Sequence, residues 1–269
     1  MPAPIARIHP IALQGVEFDN VTRSETVDLM ERWIADGTPR MICTPNADHL
    51  VQIRSDPEFA ALLAAADLVV SDGMGVVYAS RLLGRPFHEN VGGRLVLTAF
   101  AERAAARGYR LFLLGGRSEE TARKAASRLC ELYPGLPMPA TYTPPFVPAF
   151  DAAETARMID AIRQSGAQAL FVCLVTPKQE KWIARHLASL PTPVNIGVGA
   201  ALDMLAGEVI EPPRWMSNWG VEWLWKLASD PRRMWRRYIV NGGRFCAGVA
   251  RERWRQGRAG AGPGASATR

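Results

Sequence analysis

The sequence predicts an α/β fold, a Rossmann-like parallel sheet flanked by helices, with a C-terminal basic amphipathic helical appendage. Between residues 24 and 198, short apolar runs of strand length alternate with longer segments of helical periodicity. Such alternation implies right-handed crossovers and a parallel sheet that is covered on both faces. Several of the apolar runs end in polar or glycine-containing turns, which are the positions where open α/β sheets bind ligands.

The individual elements follow from local periodicity and from residues that begin or end helices. Apolar runs predict strands at residues 40–43, 67–71, 109–114, 169–175 and 194–198. Helical spacing predicts helices at residues 24–33, 57–66, 75–83, 94–107, 118–132, 151–164 and 177–188. Residues 84–93 and the proline-containing residues 133–150 are predicted to be loops.

The composition is that of a chain with a large core. Of its 269 residues, 48% are apolar, and no run approaches the ~18 apolar residues that a membrane-spanning helix needs. The first residues lack the apolar segment of a secretion signal, so a cytoplasmic protein is expected. Cys43 and Cys173 lie inside apolar runs and are expected to be core thiols. The histidines and cysteines have no metal-ligand spacing, so no metal site is predicted.

Positive charge and tryptophan are concentrated towards the C-terminus. Between Lys226 and Arg258 there are ten Lys or Arg residues and two acids, and six of the eight tryptophans follow Arg214. We therefore divide the chain into a core at 1–210, a helical segment at 211–258, and a Gly/Ala/Ser-rich tail at 259–269 that is expected to be disordered.

The helical segment is predicted to dock on an anionic membrane surface and to complete the active site. Apolar residues recur there at helical spacing and form one stripe: Met234, Trp235, Tyr238, Ile239, Phe245, Cys246 and Val249. The residues assigned to the membrane are Trp235, Arg232, Arg237 and Arg244. This mixture of Trp and Arg is typical of a helix in a lipid interface. The alternative is an ordinary amphipathic helix packed on the core, and Gly242-Gly243 is expected to bend it.

Polar side chains follow two of the predicted strands. Asp72 comes after residues 67–71, in a turn that opens into a helix, and Thr44 and Asn46 follow residues 40–43. A partly desolvated carboxylate at such a strand end can act as a general base. Asp72 could instead only cap the following helix.

Three further turns are candidates for substrate binding. Gly115-Gly116 can present backbone N–H groups to an anion, or it can simply form a tight turn. Lys178 and Gln179 place a cation and an amide at a helix start, or they belong to a solvated first turn. Gly199 lies in another strand–glycine–helix turn. Neither a dinucleotide-binding fingerprint nor a P-loop is present, so no cofactor is predicted.

Six short motifs occur in a specific order along the chain. They are Thr44-Pro45-Asn46, Ser71-Asp72-Gly73-Met74-Gly75, Pro177-Lys178-Gln179-Glu180, Gly197-Val198-Gly199-Ala200, Gly220-Val221-Glu222-Trp223, and Pro231-Arg232-Arg233 with Arg236-Arg237-Tyr238. With them the chain resembles the WecG/TagA/CpsF glycosyltransferases over roughly residues 14–240. The resemblance implies a Rossmann-like, metal-independent enzyme of bacterial surface polysaccharide or wall teichoic acid synthesis. Such an enzyme transfers a sugar, with inversion, from a UDP-sugar to a polyprenyl-diphosphate-linked sugar at the cytoplasmic membrane.

The resemblance also implies roles for particular residues. The family's active-site positions fall on Asp72 as the base, on Thr44, Asn46 and Gln179 as polar residues, and on Arg233 and Arg236 as C-terminal arginines. The chemistry suits these residue types, because an inverting transfer needs a base to deprotonate the acceptor hydroxyl. Arginine can neutralise the departing diphosphate, a task that many transferases give to a metal.

The chain departs from the family pattern at Asn90, Val175, Glu211 and Lys226. Asn90 replaces a loop arginine and Glu211 adds negative charge, so a donor with a neutral sugar is expected: glucose, another hexose, or an N-acetylmannosamine type. The expected partners are that UDP-sugar, a polyprenyl-diphosphate-linked acceptor and an anionic membrane surface, with no nucleic acid. The expected location is the cytoplasmic face of the bacterial inner membrane.

Two other functional classes are considered. A nucleic-acid-binding protein, in which an α/β domain is followed by an Arg/Trp-rich segment that binds the nucleic acid, would have the same basic C-terminal region. A nucleotide-cofactor oxidoreductase would share the fold class but lacks its fingerprint.

Overall fold

The computed structural model describes residues 6–209, 216 and 222–260. Its strands are β1 (Ile11–Leu13), β2 (Val16–Phe18), β3 (Arg40–Cys43), β4 (Leu68–Val69), β5 (Leu111–Gly115), β6 (Ala140–Tyr142), β7 (Ala169–Cys173) and β8 (Val194–Gly197). β1 and β2 form an antiparallel hairpin. The other strands form one six-stranded parallel sheet in the order β4-β3-β8-β7-β5-β6. The predicted fold class, a parallel sheet flanked by helices, is confirmed.

Helices alternate with the strands. They are α1 (Arg23–Asp36), α2 (Ala47–Gln52), α3 (Pro57–Ala65), α4 (Met74–Leu82), α5 (Gly93–Arg107), α6 (Glu119–Leu132), α7 (Ala152–Ser165), α8 (Lys178–His186), α9 (Ala201–Leu205), α10 (Glu222–Ser229), α11 (Pro231–Trp235) and α12 (Gly242–Gly260). A 3₁₀ turn at Leu187–Ser189 follows α8, and a π-helical turn at Arg236–Asn241 joins α11 to α12. The boundaries of α1 and of α3 to α8 agree with the predicted helices to within a few residues.

Both faces of the sheet are covered by packed side chains. Along β5, Phe112 and Leu114 belong to one core cluster, whereas Leu111 and Leu113 belong to a second. Successive side chains of a strand point to opposite faces, so the two clusters lie on the two sides of the sheet. Every residue of β5 and β7 is buried, as expected for parallel strands between two helical layers.

The structure contains four elements that the sequence pattern does not predict, namely β1, β2, α2 and β6. β6 lies inside the predicted loop at 133–150, where it pairs with β5 at the edge of the sheet. Its three residues are all half-buried, so they do not form the continuous apolar run that identifies a central strand. β1 and β2 have three residues each and α2 has six. Such short elements contain too few residues to show periodicity.

The backbone is helical without a break from Pro231 to Gly260. Its irregularity is the π-helical turn rather than the bend expected at Gly242-Gly243, since Gly242 is itself helical with φ −57° and ψ −46°. The helix also includes the first two residues of the tail predicted at 259–269. The rest of that tail, residues 210–215 with Glu211, and residues 217–221 lie outside the described residues.

The predicted apolar stripe of this helix is divided between two environments. Phe245 and Val249 are each 5% exposed and belong to the core cluster that contains Leu50 of α2. Trp235 and Ile239 are 48% and 57% exposed. The alternative of a packed amphipathic helix therefore holds for one part of the stripe, and the other part faces outwards. Across residues 6–209, 216 and 222–260, no helix is both long enough and apolar enough to cross a bilayer.

Candidate active site

The turns after β3 and β4 lie side by side at the carboxyl edge of the sheet. The two strands pair in parallel with Cys43 opposite Val69, so Thr44 and Asp72 follow neighbouring strand ends. The backbone N–H of Asp72 donates to the carbonyl oxygen of Pro45 at 3.3 Å. The structure thus brings the predicted base into the turn next to the one that carries Thr44.

Asp72 does not occupy the N-cap position of the following helix. Gly73 holds that position at the start of α4, with φ 84° and without a side-chain cap. A positive φ favours glycine there. The N–H of Gly73 donates to Asn90 Oδ1 at 2.9 Å, and the N–H of Val91 donates to the carbonyl oxygen of Ser71 at 2.9 Å. The turn that carries Asp72 is therefore fixed by Asn90 and Val91 in the loop before α5.

Two glycines bring the N-terminus of α5 against Asp72 and Thr44. A Cβ atom on Gly92 would overlap Asp72 Oδ1, and a Cβ atom on Gly93 would lie 3.0 Å from the carbonyl oxygen of Gly197 and 3.4 Å from Thr44 Oγ1. α5 begins at Gly93, and Gly92 supplies no side-chain cap. The positive end of a helix dipole favours a negative charge at this position. Neither glycine is predicted from the sequence to lie at the site, although two glycines directly before a helical run are the available signal.

Gln179 connects the turns after β7 and β8. Its side chain is buried, its Oε1 accepts the N–H groups of Gly199 at 3.1 Å and Leu174 at 3.3 Å, and its Nε2 donates to Glu180 Oε1 at 2.7 Å. A Cβ atom on Gly197 would lie 2.5 Å from that Nε2, so a side chain at position 197 would displace the Gln179 amide. In this structure Gln179 holds the site together, and its contact with substrate stays a prediction, as does that of Gly199.

Glu180 is a buried acid to which the sequence pattern assigns no role. Burial raises the pKa of its carboxyl group to about 7, against the lowering effect of the bond from Gln179. Its Oε2 has no hydrogen-bond partner among the described residues. A protonated carboxyl group near neutral pH is consistent with such a position. No local pattern distinguishes this glutamate from an exposed one on an amphipathic helix.

Asn46 caps the short helix α2. Its Oδ1 accepts the N–H groups of Asp48 at 3.0 Å and His49 at 3.3 Å, and its own N–H donates to His49 Nδ1 at 3.1 Å. Burial, together with the charge of Arg237, lowers the pKa of His49 to about 4. The imidazole is therefore a neutral acceptor that fixes the Asn46 turn.

The Gly115-Gly116 turn closes tightly on β7. Both residues have positive φ, and a Cβ atom on Gly115 would overlap the carbonyl oxygen of Cys173. The N–H of Gly116 donates to that same carbonyl at 3.1 Å, and the next N–H, of Arg117, donates to Asp203 Oδ1 at 3.1 Å. These bonds favour the tight-turn alternative, and anion binding by the glycines stays a prediction.

Lys178 points towards the loop between β6 and α7. Its Nζ donates to the carbonyl oxygen of Val147 and lies 3.6 Å from the centre of the Phe150 ring. Burial lowers the pKa of this ammonium group. Its contact with substrate stays a prediction.

A family model described as the glycosyl transferase WecG/TagA/CpsF family matches residues 11–259. The chain belongs to the WecG/TagA/CpsF family. It is therefore a glycosyltransferase, as the motifs indicated. It is similar to proteins named N-acetylglucosaminyldiphosphoundecaprenol N-acetyl-β-D-mannosaminyltransferase. The one from Bacillus spizizenii is 30% identical over 198 residues, 74% of each chain. Those from Bacillus subtilis and Staphylococcus aureus are 26% and 25% identical over 228 residues, which are 84% of this chain and 86% and 87% of theirs.

The C-terminal helix of this glycosyltransferase contacts the turn that carries Asn46. Asp48 Oδ1 accepts from Asn241 Nδ2 at 2.7 Å, and Asp48 Oδ2 lies 3.7 Å from Arg237 Nε. Arg237, which was assigned to the membrane, thus has an intramolecular partner in this structure. The helix is held next to the predicted site by its own polar contacts as well as by Phe245 in the core.

The other predicted C-terminal residues lie on the same helical stretch. The side chains of Arg232, Trp235, Arg236 and Arg244 are exposed. Arg233 lies within α11, and its side chain is outside the described part of the structure. The catalytic roles of Arg233 and Arg236 and the membrane roles of the other residues stay predictions.

Among the residues that the structure describes, no three His, Cys, Asp or Glu side chains are grouped as metal ligands would be. Metal independence of this glycosyltransferase stays a prediction that chelation can test.

Proposed function

We propose that this glycosyltransferase moves a neutral sugar from a UDP-sugar to a polyprenyl-diphosphate-linked saccharide, with inversion at the anomeric carbon. The curated relatives are named as transferring N-acetylmannosamine to an N-acetylglucosaminyl diphosphoundecaprenol. An acceptor of that chemistry would bring this chain to the cytoplasmic face of the membrane as a peripheral protein.

The observation that carries the proposal is the position of Asp72. Its carboxylate lies at a strand end, against the N-terminus of α5 and beside the turn of Thr44. In the reaction, the acceptor hydroxyl oxygen forms a bond to the anomeric carbon and its proton passes to Asp72. The bond between that carbon and the diphosphate oxygen breaks, and UDP leaves with the electron pair. A base that accepts a proton in this way contributes about 10²–10⁴-fold to the rate.

The departing diphosphate needs positive charge around it. Arg233 and Arg236 lie on the helical stretch that begins at Pro231. On the same stretch, Arg237 pairs with Asp48, which comes two residues after Asn46. Guanidinium groups match phosphate oxygens in pairs and can stabilise the leaving group without a metal. In this proposal the segment at 211–258 completes the site that the core at 1–210 begins.

The donor sugar is proposed to be uncharged. Asn90 occupies the position of the family's loop arginine, and its Oδ1 is already bonded to the N–H of Gly73. The amide at position 90 offers no positive charge to a sugar carboxylate, whereas an arginine there would. Glucose and N-acetylmannosamine both satisfy this condition.

The experiment is transfer by the full chain with a panel of UDP-sugars and short-chain polyprenyl diphosphate acceptors that carry N-acetylglucosamine, read by mass. The panel contains UDP-glucose, UDP-N-acetylmannosamine and UDP-glucuronic acid. We expect one neutral sugar to be added to the acceptor. Transfer of glucuronic acid would contradict the neutral donor, and no transfer of any of these sugars to the lipid diphosphate acceptors would contradict the proposed function.

A further inference from the structure

A polar cavity outside the candidate active site lies between the β1–β2 turn, the end of α2 and α12. Its volume is ≈ 370 Å³, and its polar lining consists of Gln14, Arg54, Arg251, Glu252 and Arg255. None of these residues belongs to the candidate active site. Three guanidinium groups against one carboxylate give the cavity an excess of positive charge.

Arg54 is held in place by the protein itself. Its Nη2 donates to Gln14 Oε1, and its Nη1 lies 3.5 Å from the carbonyl oxygen of Arg244. Gly248 leaves room for this arrangement, because a Cβ atom there would lie 2.7 Å from Gln14 Oε1 and would overlap the Arg54 guanidinium. An arginine that is already oriented loses less freedom when it binds an anion.

The other two arginines of the cavity project from α12. Arg251 and Arg255 are exposed, lie four residues apart, and have no ion pair among the described residues. Like charges at this spacing destabilise a helix. The nearby acid, Glu252, uses its Oε2 to accept the N–H of Gln14 at 3.0 Å. The positive excess of the cavity is therefore left for an external anion.

The side of α12 that faces away from the core has the chemistry of a lipid interface. Trp254 is 62% exposed on the turn between the two arginines, whereas Phe245 and Val249 on the opposite side are buried. An exposed tryptophan beside arginines is typical of a helix that lies at the level of lipid headgroups. A phospholipid headgroup fits here better than a nucleic acid, since an acceptor in the membrane, as proposed above, brings this protein to a bilayer.

We propose that the cavity formed by Arg54, Arg251 and Arg255 binds the phosphate of an anionic phospholipid headgroup. This inference rests on the proposed function for the membrane acceptor, and it assigns the phospholipid to a site that differs from the one proposed for the sugar donor. Guanidinium forks would hold the phosphate oxygens while Trp254 enters the interface.

The test compares binding of the full chain to phosphatidylcholine vesicles with and without phosphatidylglycerol. Arg251→Gln and Arg255→Gln together should weaken binding to the anionic vesicles about 25-fold, since each basic side chain near such a surface contributes about fivefold. The matched control is Arg123→Gln with Arg128→Gln on α6, which removes the same charge from another exposed helix. Gly248→Ala changes no charge, and it should also weaken binding because it displaces Arg54.

Equal losses in the cavity variant and the α6 control would overturn the proposal, because diffuse charge would then explain binding. If a low concentration of inorganic phosphate abolished vesicle binding, the cavity would be a site for free phosphate, and the proposal of a phospholipid headgroup would be wrong. Loss of DNA binding without loss of vesicle binding would assign the cavity to nucleic acid instead.

Transfer to a water-soluble acceptor analogue, measured on the same variants, should be unchanged. If wild type transfers no sugar to that analogue but the vesicle result holds, the proposed function fails and the cavity stands.

Discussion

At the carboxyl edge of the sheet, Gln179 and Thr44 are buried and bonded to backbone groups, whereas along α12 the arginines and Trp254 are exposed. Gln179 is 2% exposed and bonds to three different neighbours, while Arg251 and Arg255 have no ion-pair partner among the described residues. Buried polar groups that are fully bonded fix a single geometry, which a reacting centre needs. Exposed charge is available to an external partner. The two regions therefore suit chemistry and docking respectively.

The largest effect expected is at the edge of the sheet. Asp72→Asn keeps the size of the side chain but cannot accept the acceptor's proton, so turnover should fall about 10²–10⁴-fold. Steady-state transfer with the best donor measures this, and thermal unfolding checks that the variant is folded. The control is Asp160→Asn, an exposed carboxylate on α7. Near-wild-type turnover would remove Asp72 from the role of base.

Replacing a side chain by alanine should destabilise the protein on the buried side of α12 and have almost no effect on the exposed side. Phe245→Ala removes a buried ring from the core cluster and should lower the free energy of unfolding by about 3–5 kcal/mol. Trp254→Ala removes an exposed ring and should change it by less than about 0.5 kcal/mol. Denaturant unfolding measures both. Similar losses would mean that the helix packs through both sides. For the same reason, removing the whole segment would disturb the core, so point variants give the cleaner test of activity.

Glu180 and His49 should make opposite contributions to the pH dependence of stability. The pKa of Glu180 is about 7 in the folded chain against 4.5 ordinarily, so its contribution falls as pH rises through that interval. The pKa of His49 is about 4 against 6.5, so its contribution is lost as pH falls through that interval.

Glu180→Gln removes the first contribution and keeps an acceptor for Gln179. Between pH 4.5 and 6.5, the variant's free energy of unfolding should therefore rise with pH more steeply than that of wild type, by up to about 3 kcal/mol in all. Above pH 7 the variant should be more stable than wild type. Denaturant unfolding at a series of pH values measures this, and parallel curves for the two proteins would contradict it.

A smaller effect is expected where the two regions meet. Asp48→Asn removes the ion pair with Arg237 and keeps an acceptor for Asn241. Because Arg237 is partly exposed, the pair is worth less than about 1 kcal/mol, and turnover should fall about two- to fivefold. Glu131→Gln, which breaks an exposed pair on α6, is the control. An unchanged turnover would show that the position of the C-terminal helix does not depend on Asp48.

The smallest effect expected is none. If arginines rather than a metal stabilise the leaving diphosphate, excess EDTA should leave turnover unchanged. Complete loss on chelation, restored by Mg²⁺ or Mn²⁺, would assign that charge to a metal and would change the role proposed for Arg236.

Most of the secondary structure and several features of the candidate site could be predicted from the local sequence pattern. The alternation of strands and helices, the position of Asp72 at a strand end and the concentration of Arg and Trp in the last segment all follow from periodicity and composition. The motifs also indicated the family, and the family model confirmed it. These features are local because each depends on residues within a few positions of one another.

Only the tertiary structure decided which of these residues act together. Gly92 lies against Asp72, Gln179 bonds to Gly199, and Phe245 faces the core while Trp254 faces outwards. Each of the two contacts joins residues about twenty positions apart, and the direction of each helix face depends on what packs against it. Helical spacing specifies that a stripe exists, but burial depends on the neighbouring elements, here α2 and the β1–β2 hairpin.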